Sequence, residues 1–114
     1  MTSFDEREKA FEAEFLRDRE RHFRIVARRN KLLGVWAAKC LGLWGKAAED
    51  YAISVVDSEI VGRGDEAVID KLKADLWNCA VPIAEREIRA QLKAFDTRAQ
   101  QELLNASTDS SETP

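Results

Sequence analysis

FDEREKAFEAEFLRDRERHFRIVARRNKLLGVWAAKCL, from Phe4 to Leu41, is the stretch that decides the fold. It contains no proline and one glycine, Gly34, so little in it would end a helix. Each helical residue turns about 100°, so spacings of seven and four return to nearly one direction. Phe4, Phe11 and Phe15 therefore form one narrow apolar line, which continues through His22, Val26, Leu33, Trp36 and Cys40. Before residue 22 the line is thin and is flanked by Asp5, Glu6, Arg7, Glu8, Lys9, Glu12, Glu14, Arg17, Asp18 and Arg19. After it, Phe23, Ile25, Val26, Leu32, Leu33, Val35 and Trp36 widen the face enough to hold a core. A functional boundary is expected near residues 18–22, although helix periodicity crosses it. A line as thin as that of the first part suits insertion into a groove on another protein.

Outward from this stretch, Ser3 and Glu6 have the spacing of a capping box. Asp5–Lys9 and Glu20–Arg24 are favourable i,i+4 pairs. Gly42 and Gly45 bracket Leu43 and Trp44, which predicts a helix C-cap and a short turn. A second helix follows over about 46–60, with Tyr51, Ala52, Val55 and Val56 on its apolar face. Gly62 and Gly64 end it, and Asp65 is the expected N-cap of a third helix carrying Val68, Ile69, Leu72, Leu76 and Cys79. Pro82 is expected in the first turn of a fourth helix. There Ile88, Leu92, Phe95, Ala99 and Leu103 make the cleanest amphipathic pattern in the chain. Short connections favour antiparallel neighbours, so the fold is expected to be an all-α four-helix bundle. The expected organisation is an N-terminal arm over 1–18, flexible when free, a bundle over 19–104 and a disordered acidic tail over 105–114. Burying three phenylalanines does not outweigh the entropy of ordering so many residues, so the arm is expected to fold when a groove covers it.

Composition excludes several classes of function. The net charge of −3 gives no reason to expect nucleic acid or an anionic membrane as the main partner. No apolar run approaches the roughly 20 residues that span a bilayer, and charge from residue 5 is unlike a secretory signal. Cys40 and Cys79 stand apart without metal-ligand spacing and are expected to be buried, reduced thiols. No catalytic triad pattern or phosphate loop is present, so the chain is expected not to be an enzyme and to require no cofactor. Glu85 and Glu87 are expected to be solvated. The run Arg21, Arg24, Arg28, Arg29 and Lys31 lacks any aromatic stacking platform and is expected to form a solvated face or docking patch. Trp36, Trp44 and Trp77 are expected in the core and at helix junctions. His22, the sole histidine, is expected to be exposed or partly packed; the sharper alternative is that it tunes the arm–bundle junction, with Asp18 as partner.

Phe4–Phe15 (FDEREKAFEAEF) and Arg28–Ala38 (RRNKLLGVWAA) resemble the ATPase inhibitor zeta-subunit family of alphaproteobacterial F-type ATP synthases. Tyr51-Ala52, Gly64-Asp65-Glu66 with Val68, and Glu87-Ile88-Arg89 fit the same pattern, which covers about residues 2–104. The resemblance implies a non-enzymatic regulator whose arm enters the interface between an α and a β subunit of the catalytic head, beside the γ shaft. There it blocks rotation in the direction of ATP hydrolysis. Phe4, Phe11 and Phe15 would be the buried contacts, and Asp5, Arg7, Glu12 and Arg19 the polar ones. The resemblance implies a location at the cytoplasmic face of the membrane, through the ATP synthase and without membrane insertion. It also implies weak adenine-nucleotide binding on the globular part, which no motif here places. Glu14, Leu16, Arg17 and the apolar Ile25-Val26 depart from the pattern expected of inhibitory members. The alternatives are an adaptor whose arm binds another protein and a nucleotide-sensing module in which the bundle matters more than the arm.

Overall fold

The structure, a computed structural model, describes the backbone of residues 2–112 and the side chains of residues 5–106. Among these residues it is all-helical: α1 (Thr2–Cys40), α2 (Gly45–Gly62), α3 (Asp65–Asn78) and α4 (Glu85–Glu112). The long first helix is present, as its sequence predicts. Its 39 residues span roughly 58 Å at 1.5 Å each, against a longest molecular dimension of 65 Å. The connections are short, and α1 lies between α2 and α4 while α3 closes the remaining side. The side chains of Phe4 and Ser3 lie outside the described residues, as do those of the tail from residue 107.

Leu33 and Ala37 of α1, Val55 of α2, Val68, Ile69, Leu72 and Leu76 of α3, and Ile88 of α4 form the buried core. Trp36, Tyr51, Leu92 and Phe95 pack against it. Helix α1 meets α2 most closely at Gly34, where a Cβ would lie 2.7 Å from Ala52 Cα. That contact is closer than van der Waals packing allows, so the crossing requires glycine there.

Helix ends show where local chemistry departs from the sequence expectation. The end of α1 follows it: Gly42 is left-handed (φ 77°), with Leu43 N–H donating to Ala38 O at 2.8 Å. The same motif ends α3, with Val81 N–H donating to Leu76 O at 2.9 Å, but Ala80 holds the left-handed position (φ 58°). At the end of α2 that position falls to Arg63 (φ 62°). Gly62 is still helical, and its missing Cβ makes room for Ala67. Asp65 is the first residue of α3 and not its cap; Gly64 is the cap residue and supplies no side-chain hydrogen bond. Pro82 falls in the connection before α4, whose first turn starts at Glu85.

Three further expectations are corrected. Trp36 is partly buried, but Trp44 and Trp77 are 84% and 83% exposed. Trp77 shares the outer face of α3 with Asp70 and Lys73, since Leu76 takes the core position, and Trp44 is the extended residue before α2. Cys79 is exposed because it follows the last helical turn of α3, while Cys40 is half-buried; both thiols are free. Burial pushes the Cys40 thiol up, and the nearby Glu87 carboxylate adds to this. Phe23 is 61% exposed and adds nothing to the core, because it lies at the edge of the α1–α2 contact.

Candidate functional site: an uncovered arm on a clamped bundle

Every described side chain of α1 from Asp5 to Arg24 is exposed; burial begins at Ile25 and is complete at Arg29. Phe11 and Phe15 keep 71% and 54% of their surface, and Leu16 beside them keeps 61%. A row of large apolar side chains exposed on a projecting helix is a candidate interaction surface. The charges around the row are equally unengaged. Among the described residues, no side chain from Asp5 to Arg19 closes an ion pair. The Asp5–Lys9 pair is therefore not made, whereas Glu20–Arg24 is, at 2.7 Å. Arg19 sits over the Phe15 ring at 5.8 Å from its centroid and covers part of it. Asp5, Arg7, Phe11, Glu12, Phe15 and Arg19 thus lie exposed on one helix, and Phe15 and Arg19 border a cleft with Glu59 of α2 on its other side.

The bundle carries the opposite arrangement. Arg29, with a side chain 5% exposed, donates to Glu59 Oε1 at 2.6 Å and to Asp65 Oδ1 at 2.8 Å, and lies 3.6 Å from Asp96. Its Nε donates to Asn30 Oδ1 at 3.1 Å. One guanidinium from α1 therefore meets carboxylates from α2, α3 and α4 just below the arm. This overturns the solvated-face expectation for Arg29. The signal was in the sequence: Arg29, Leu33 and Ala37 follow one another at i+4, so Arg29 lies on the core face. Burial raises the Glu59 carboxyl, and a hydrogen bond shared with Asp65 raises it further. Burial would raise Asp65 too, but the shared bond and the Arg29 guanidinium hold it low. His22, exposed on the same side, adds a small field that favours the Asp65 carboxylate; Asp18 makes no hydrogen bond to it.

Other pairs fasten the helices around this clamp. Arg28 donates to Glu102 at 2.6 Å, joining α1 to α4. Arg89 makes two 2.8 Å bonds to Glu66, joining α4 to α3. Glu85 is exposed but paired, with Lys73 and Arg89. The Tyr51 hydroxyl donates to Asp75 at 2.7 Å; burial, and then this bond, push the phenol up. No group of His, Cys, Asp or Glu among the described residues is arranged to hold a metal ion.

A clamped helical body carries a long, exposed and amphipathic helical extension. The family model of the ATPase inhibitor subunit zeta matches residues 1–102, and the chain belongs to that family. No curated protein matches it. Among the described residues, no helix is long and apolar enough to cross a membrane.

Proposed function

We propose that this chain inhibits ATP hydrolysis by the F-type ATP synthase. Its arm enters the catalytic head between an α and a β subunit, beside γ, and obstructs rotation in the hydrolytic direction. The observation that carries this reading is the exposure of Phe11 and Phe15 on a helix whose described side chains are all exposed from Asp5 to Arg24. Phe4, Phe11 and Phe15 are the buried contacts in this reading. Asp5, Arg7, Glu12 and Arg19 face polar groups of the surrounding subunits in this reading, and membership of an ATPase inhibitor family supports a groove on the ATP synthase.

The physical logic is folding coupled to docking. An isolated helix without tertiary cover is marginal in water, so the arm frays when free and orders when the groove closes over it. The bundle stays outside, and the clamp at Arg29 gives the arm a rigid base. No catalytic group is needed, since obstruction of a rotating shaft is a mechanical effect.

Phe11→Ala tests this reading. Removing a large side chain from the centre of a docked interface costs about 2–4 kcal/mol, or roughly 30- to 1,000-fold in affinity. The expected outcome is inhibition weakened by that factor, with the melting temperature of the bundle unchanged. Unchanged inhibition would rule out Phe11 as a buried contact.

A further inference from the structure

The apolar line of the arm does not end where the bundle begins. Phe15, His22, Phe23 and Val26 line one side of a shallow cleft, and Glu59 of α2 lines the other. This cleft shares Phe23, Val26 and Glu59 with a narrower one of about 320 Å³ between α1 and α2, into which Val56, Ile60 and Asn30 also face. Phe23 and Ile60, at its mouth, are 61% and 62% exposed.

Asn30 gives this cleft a polar element. It is 1% exposed, and its Oδ1 accepts from Arg29. Its amide lies near Glu59 and favours the charged form of that carboxyl, yet Nδ2 completes no hydrogen bond among the described residues. A buried donor without an acceptor is costly in a finished fold. With Nδ2 closed off from solvent, what the cleft offers a partner is its apolar side chains, Phe23, Val26, Val56 and Ile60.

We infer that the α1–α2 cleft is a second docking pocket, and that it takes an apolar side chain of the same protein that receives the arm. This inference rests on the arm-insertion reading above. Continuity identifies the occupant: Phe15 and Phe23 belong to one unbroken helix and are eight residues apart, or about 12 Å along its axis. A groove that encloses Phe15 therefore brings its rim to Phe23 and Ile60. The opposite side of α1 at this level is taken by α4, where Arg21 and Ile25 face Thr97, Gln101 and Leu104. A partner approaching along the arm meets the α2 side, with Arg19, Asp18 and Glu59 as its polar rim.

The test uses the full chain and an ATP synthase head freed of its own inhibitor. Ile60→Ser should weaken binding to the head about tenfold, the loss expected for an anchor at the edge of an interface. Ile53→Ser is the control: Ile53 is 51% exposed on the same helix and lies outside the cleft, so that variant should bind within about twofold of wild type. Phe23→Ser gives the same readout from the α1 wall should Ile60→Ser fail to fold. A wild-type chain that does not bind the head overturns both the arm reading and the cleft. A wild-type chain that binds, with the cleft variants binding as tightly or Ile53→Ser weakened equally, overturns the cleft alone.

Discussion

Helix α1 passes through two regimes within one stretch of regular backbone. From Asp5 to Arg24 its side chains are exposed, and as far as Arg19 its charges find no ion-pair partner among the described residues. From Ile25 to Cys40 it is the central strut of a bundle, with Leu33, Ala37 and Ala38 fully buried and Arg29 bonded to two neighbouring helices. Secondary structure is the same in both halves, so it does not distinguish them. What differs is whether the apolar and charged groups are satisfied within the chain. Where they are, the residues hold the fold together; where they are left open, they are available to a partner. The division of labour predicts that substitutions in the arm change function and leave stability alone, and that substitutions of buried bundle residues do the reverse.

Arg29→Ala should sharpen that contrast most. It leaves Glu59 and Asp65 without their cation, and breaking one side of a buried charge cluster costs about 3–5 kcal/mol. Denaturant unfolding should show that loss, while inhibition by whatever fraction remains folded should be nearly normal. A smaller effect of opposite sign is expected from Ala80→Gly. Relief of a left-handed alanine outweighs the extra freedom glycine gives the unfolded chain, for a net gain of about 0.5–1 kcal/mol. A melting temperature that falls would contradict the Schellman ending of α3.

Acid should have the smallest effect, confined to the bundle. The carboxyls of Glu66, Glu85 and Glu102 are held below their ordinary range by hydrogen bonds, to Arg89, to Lys73 and to Arg28 respectively. A depressed carboxyl stabilises the fold above its unfolded value and loses that contribution as pH falls through its folded value. Glu59, raised by burial, acts in the opposite sense: its protonation on acidification favours the fold. The melting temperature should therefore fall mainly below pH of about 4, where the depressed carboxyls titrate. Added salt should shrink the difference, because these groups are exposed. An acid-insensitive melting temperature at low salt would break the expectation.

Much of this architecture was legible in the sequence because it rests on periodicity. The long first helix, the core positions Leu33, Val55, Val68, Leu72 and Ile88, and the Gly42 turn all follow from spacing and local chemistry. The exceptions at Arg29 and Trp77 share a cause, composition weighed above helix face, and those at Asp65, Pro82 and Cys79 lie at helix ends. Arg29 looked like one of a run of surface cations, although its i+4 relation to Leu33 puts it on the core side. Trp44 and Trp77 looked like core on account of their size, although Trp77 follows Leu76 and so points off the buried face. The α1–α2 cleft was not legible at all, since Phe23, Asn30 and Ile60 come together only when two helices cross at Gly34 and Ala52.

The central claim is that the open half of α1 is the inhibitory element and the bundle its support. It is tested most directly by titrating ATP hydrolysis of an inhibitor-free ATP synthase with the full chain and with the chain lacking residues 1–18. Inhibition by the full chain and none by the shortened one, with both melting at the same temperature, is the predicted result. Equal inhibition by the two, or none by a correctly folded full chain, would contradict it.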